Sequence, residues 1–147
     1  MLALVCVPRA VTPYQTYAAP FAEYEDDWRL HRLQRYFGRT DAPVGRVAHQ
    51  FLAVADHWGL DWRLLPSLSV VESSGGKAAP YNNLFGWDNG RARFDSVTDG
   101  IQVVASRLGQ SHLYKHKELD ALLWTYNPDA GYARRVKSVM RRIAPAQ

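Results

Sequence analysis

Glu72 is the charge whose position in this sequence most suggests chemistry. It follows Leu68 by four residues and Leu65 by seven, so in a helix it shares their apolar face. A carboxylate on such a face rarely stays there without a partner or a task. It also falls in the last turn of its segment, where the negative end of the helix dipole disfavours a second negative charge. Both effects favour the neutral carboxyl. A carboxyl kept neutral near physiological pH can hand its proton to a leaving oxygen, the general-acid step of glycoside cleavage. The competing reading is a solvent-facing group past a frayed helix end.

The elements that must hold this residue are read from spacing. Trp28, Leu30, Leu33, Tyr36 and Phe37 recur with helical period, and Gly38 is a stop signal. A second helix follows Asp41-Ala42-Pro43, carries Val47, Phe51, Val54, Ala55 and Trp58 on one stripe, and ends at Gly59. Leu60-Asp61 opens a third, through Leu65 to Val71, with Pro66 in its first turn or marking a later start. Asn89-Gly90 lies between short aromatic-bearing runs and predicts a two-stranded hairpin. Ser96-Val97-Thr98-Asp99 reads as a capping box, starting a helix with Val97, Ile101, Val104, Ala105 and Leu108 inward and Gly109 as its end. Leu119 to Tyr126 is a short helix. Asp129 is expected to cap the last, whose Tyr132, Val136, Val139, Met140 and Ile143 face a core. The expected fold is mainly α, with one short β-hairpin bordering a cleft.

Downstream of Glu72 the order of motifs is informative. Glu72-Ser73-Ser74-Gly75-Gly76-Lys77 leads to Tyr81-Asn82-Asn83-Leu84-Phe85-Gly86-Trp87, then to Phe94-Asp95-Ser96. Tyr126, Asp129 and Tyr132 follow at intervals of three. This order resembles the glucosaminidase family that cleaves peptidoglycan (the mannosyl-glycoprotein endo-β-N-acetylglucosaminidase-like group). That family belongs to the lysozyme-like superfamily and is related to lytic transglycosylases. The resemblance spans roughly residues 60–143. It implies that Glu72 is the catalytic glutamate and Tyr126 the motif tyrosine near the reacting carbon. Asn82 and Asn83 brace the cleft, a buried amide being able to bond backbone on both sides. Phe85 and Trp87 line sugar subsites by stacking or, alternatively, pack the hairpin on the core. Asp88 lies beside them as a sugar contact, a second carboxylate or a plain turn residue. Tyr132 is expected to be core.

The chain also departs from the family pattern. The link from Gly86 to Phe94 is short, and its acids are only Asp88 and Asp95. Asn127-Pro128 replaces a small residue followed by threonine. With no second carboxylate, water is activated by the substrate's N-acetyl group, or the sugar's own 6-hydroxyl attacks and leaves an anhydro ring. Hydrolysis, transglycosylation and a non-catalytic glycan-binding module are the outcomes that follow.

Composition bounds these readings. The 147 residues are 47% hydrophobic, 12% aromatic and 22% charged, which excludes disordered, collagen-like and disulfide-scaffold chains. One cysteine, Cys6, makes neither an internal disulfide nor a thiolate metal cage. His112 and His116 have i,i+4 spacing but no acid in an HExxH-like frame, so neither metal nor organic cofactor is implied. The net charge of +4 suits a polyanion such as an anionic cell wall, and equally serves solubility. Arg134, Arg135, Lys137, Arg141 and Arg142 make the last helix basic, either as a polyanion contact or as cations suited to a helix end. No helix-turn-helix or RNP pattern points to nucleic acid. No apolar run is long enough to span a membrane. Residues 1–20, with Pro8, Pro13 and Pro20, read as a disordered leader or signal remnant, and 21–147 as a single domain. The implied partner is the glycan strand of peptidoglycan, and the implied location is periplasmic, secreted or wall-associated. Oligomeric state is left open.

Overall fold

The computed structural model describes residues 20–145 of the chain. The leader expected over residues 1–20 therefore lies outside the described residues, apart from Pro20. Among the described residues six α-helices make up the architecture: α1 (Trp28–Thr40), α2 (Ala48–Trp58), α3 (Leu64–Ser73), α4 (Val97–Gln110), α5 (Leu119–Tyr126) and α6 (Tyr132–Ile143). Short 3₁₀ turns cover Phe21–Glu23, Pro43–Val47 and Pro80–Asn82. The fold is mainly helical, and no helix among the described residues is long and apolar enough to cross a membrane.

The helix ends follow local chemistry. Asp27 caps α1, its carboxylate accepting from the Arg29 backbone N–H at 2.8 Å. Ser96 caps α4 through a 3.1 Å bond from the Asp99 N–H, as the box motif requires. Gly59 closes α2 in the left-handed region at φ +63°. Pro66 is the third residue of α3, where the backbone N–H has no partner within the helix in any case.

Two glycines expected as stops lie inside helices instead. Gly38 stays within α1, which runs on to a left-handed Asp41. Gly109 stays within α4, and its absent side chain has a packing reason. A Cβ there would stand 2.8 Å from the Trp58 Cβ of α2, so this glycine lets the two helices close on each other.

The core is one cluster. Leu33, Phe37, Phe51, Leu52, Leu65, Leu68, Ile101 and Leu108 are all essentially inaccessible to water. Trp28 is the exception to the predicted stripe of α1, at 50% exposed. α3 packs along α6, and that contact sets the position of Glu72.

The predicted hairpin does not form: no residue from 84 to 94 is in a strand. Positive φ falls at Asp88, Asn89 and Gly90, so the tight turn sits one residue earlier than Asn-Gly alone suggests. Gly90 donates to the carbonyls of Gly86 and Trp87, and Ala92 to that of Trp87. Farther along, the Phe94 N–H pairs with Tyr81 at 3.0 Å rather than with the facing run. The backbone groups a ladder needs are thus taken by turns and by side-chain amides.

Candidate active site

Glu72 sits in the last turn of α3, half-buried, and its carboxylate is held from two sides. Tyr132, the first residue of α6, donates its hydroxyl to Oε1 at 2.6 Å. On the other side the carboxylate lies against Gly86. A Cβ built on Gly86 would stand 2.8 Å from Oε2, and the glycine's φ is +59°. Gly86 is therefore required twice, by its backbone conformation and by the room it leaves. The solvated-helix-end reading does not describe this carboxylate.

Tyr132 is 1% exposed, and burial, together with its bond to Glu72, pushes its hydroxyl well above the ordinary tyrosine range. It is core, as expected, and also the direct partner of Glu72. That role was legible in part: a tyrosine at a core position needs somewhere to send its hydroxyl. The residue picked out instead, Tyr126, lies one layer farther out. Its ring stacks on Tyr132 with centroids 5.9 Å apart and planes 12° apart. Its hydroxyl donates to the Phe85 carbonyl at 2.6 Å. Burial, reinforced by the charge of Glu72, raises that hydroxyl too, so both phenols stay protonated donors.

Beyond Tyr126 the rings continue. Trp87 lies 5.8 Å from Tyr126, and Tyr114, which the sequence reading missed, lies 6.2 Å from Trp87. These three, with Gly86, Asp88 and Asn89, line an open cavity of about 430 Å³. Its walls are aromatic and its rim polar, the usual makeup of a site for an organic ligand.

The remaining residues divide clearly. Asn83 is buried and braces the loop as predicted, with Nδ2 donating to the Trp87 carbonyl at 3.0 Å and Oδ1 accepting the Trp87 N–H at 2.9 Å. Asn82 donates to the Phe94 carbonyl at 2.9 Å. Phe85 has no exposed surface, so its ring cannot face a sugar; it packs the core and contributes its carbonyl to Tyr126. Asp88 stands on the cavity rim, exposed, paired with Arg91 at 2.8 Å. Asp129 does not cap α6 directly. It accepts from the Gly131 N–H at 2.8 Å, one step before the helix, and pairs with Arg135. Among the described residues no group of three or more His, Cys, Asp or Glu converges.

The geometry therefore offers one restrained carboxyl group, two protonated phenols and an aromatic-walled opening lined by Gly86 and Tyr126, the neighbours of Glu72 and Tyr132. Comparison with protein-family models, with curated proteins and with solved structures finds no match to this chain.

Proposed function

We propose that the protein cleaves the glycan strands of peptidoglycan, with a lysozyme-like arrangement of helices and a turn-built loop where the family carries its hairpin. Glu72 is the general acid. Its Oε1 is engaged by Tyr132, so Oε2, which faces Gly86 of the cavity lining, is the oxygen that carries the transferable proton. The proton passes to the glycosidic oxygen, the C–O bond breaks, and positive charge develops at the sugar carbon. A sugar in the cavity stacks on Trp87 and meets the hydroxyl oxygen of Tyr126, which keeps a lone pair after donating to Phe85.

The observation that carries this reading is the Tyr132–Glu72–Gly86 contact at the edge of an aromatic cavity. Asp88 is bound to Arg91, which supports a single-carboxylate route. The electrophilic carbon is then captured through the substrate's N-acetyl group and water, or by its own 6-hydroxyl. Such an enzyme works where wall is found, outside the cytoplasmic membrane.

The test is digestion of purified walls with mass spectrometry of the fragments. Wild type releases fragments and Glu72→Gln releases them at least about a hundredfold more slowly. Products that retain water mark hydrolysis, and products lacking it mark transglycosylation. Saturable glycan binding with no fragment from wild type leaves a binding module and refutes the enzyme.

A further inference from the structure

We propose a second saccharide-binding site at the opposite end of α3 from Glu72, built on Trp28 and Trp62. It stands independently of the chemistry assigned to Glu72. Trp28 begins α1 and is half exposed, although every other position of its predicted stripe is buried. Its ring meets Trp62 edge to face, with centroids 5.5 Å apart. The two indoles border a cavity of about 300 Å³, together with Arg32, Asp61, Arg63, Ala144 and Pro145.

The polar wall of this cavity is fixed in place. Arg63 binds Asp61 through Nε at 3.0 Å and Nη2 at 2.6 Å, and its Nη1 donates to the Ala144 carbonyl at 3.0 Å. That uses three of the five guanidinium N–H groups and leaves two for a ligand. Asp61 Oδ2 accepts only one of these bonds, so an acceptor position remains beside the free donors. Arg32 follows Trp28 by four residues on the same helix face and pairs with no acid among the described residues.

This combination selects a ligand class. A cation is repelled by Arg32 and Arg63 against the single Asp61. A small anion meets Asp61 itself and gains nothing from the indoles. A pyranose fits both halves: its C–H face lies on an indole, and its hydroxyls need donors and acceptors side by side. Glu72 lies about 12 Å along α3 from Leu64, so the two sites are separate.

The test titrates the full chain with the tetramer of N-acetylglucosamine and follows the indole N–H resonances by NMR. Trp28 and Trp62 are expected to shift saturably, equally in wild type and in Glu72→Gln. Trp28→Ala weakens the affinity reported by Trp62 about tenfold or more, and Arg32→Ala, an exposed change, weakens it less. Trp87 reports the other cavity, so the two readings fail separately. Shifts at Trp87 alone, or no shift at Trp28 and Trp62 up to the solubility of the sugar, overturn the second site. Equal shifts with acetate or sulfate also overturn it, since they mark an anion site.

Discussion

Gly86→Ala is the substitution whose effect follows most directly from the geometry. The new Cβ would stand 2.8 Å from Glu72 Oε2, and ordinary contact begins near 3.4 Å, so the carboxylate must retreat by about 0.6 Å. The same change forces alanine into the left-handed region at φ +59°, worth about 1–2 kcal/mol. Gly90 in the same loop separates the two effects. Its φ is +78°, but nothing lies within 4 Å of a Cβ built there. Gly90→Ala therefore carries the backbone strain alone. Gly86→Ala should be less stable than Gly90→Ala by about a further 1 kcal/mol, from a weakened Tyr132–Glu72 bond. In a thermal melt each 1 kcal/mol moves the midpoint by about 3–4 °C at this chain length. Activity should separate more widely. A displacement of this size at the reacting oxygen costs about ten- to a hundredfold in rate, and Gly90→Ala should keep most of the wild-type rate. Equal stabilities, with Gly86→Ala fully active in wall digestion, would show that the carboxylate is not pinned where the mechanism needs it.

Further outcomes follow from other contacts. Tyr132→Phe keeps the ring and removes the hydroxyl, so stability falls by about 1–2 kcal/mol in urea unfolding and the digestion rate falls with it. Asn83→Ala strips both bonds from the Trp87 backbone and should cost about 2–4 kcal/mol, with Trp87 fluorescence shifting before global unfolding. Asp27 and Asp61 titrate below the ordinary carboxylate range: Arg29 lowers Asp27 against the effect of burial, while at Asp61 burial raises and the bonds from Arg63 outweigh it. Depressed folded-state values give stabilisation that is complete above the unfolded value of about 3.9 and lost as pH falls through the folded values. Arg29→Met should therefore move the acid-unfolding midpoint, followed by circular dichroism, to higher pH; an unchanged midpoint would mean the Asp27–Arg29–Asp56 cluster does not contribute.

The helices were legible because their apolar spacing is regular and, for α4, because the Ser96 capping box marks its start. The errors share a physical cause: one residue type serves several purposes. Gly109 reads as a stop, but its missing side chain admits Trp58. Trp28 reads as core because it keeps the period, yet it begins its helix and stands half in water. Asn-Gly reads as a hairpin, but a turn fixes only its own four residues. Whether strands continue depends on what the neighbouring backbone bonds to, and here Asn82 and Asn83 claim it. At the site, the position of Glu72 on an apolar face was visible, and so was the bracing by Asn83. Which tyrosine hydroxyl meets Glu72 was not, since spacing along a helix does not say which hydroxyl reaches across to a neighbouring one.

The bond from Tyr126 to the Phe85 carbonyl joins α5 to the loop that carries Gly86 and Trp87. Two walls of the opening are thereby latched to each other, and Asn83 stiffens the loop from beneath. A guest arriving there meets a shape already set during folding, so little motional freedom is surrendered on docking. The pocket should accept or refuse ligands by outline, with tolerance for small adjustments of side chains and little for a rearranged backbone.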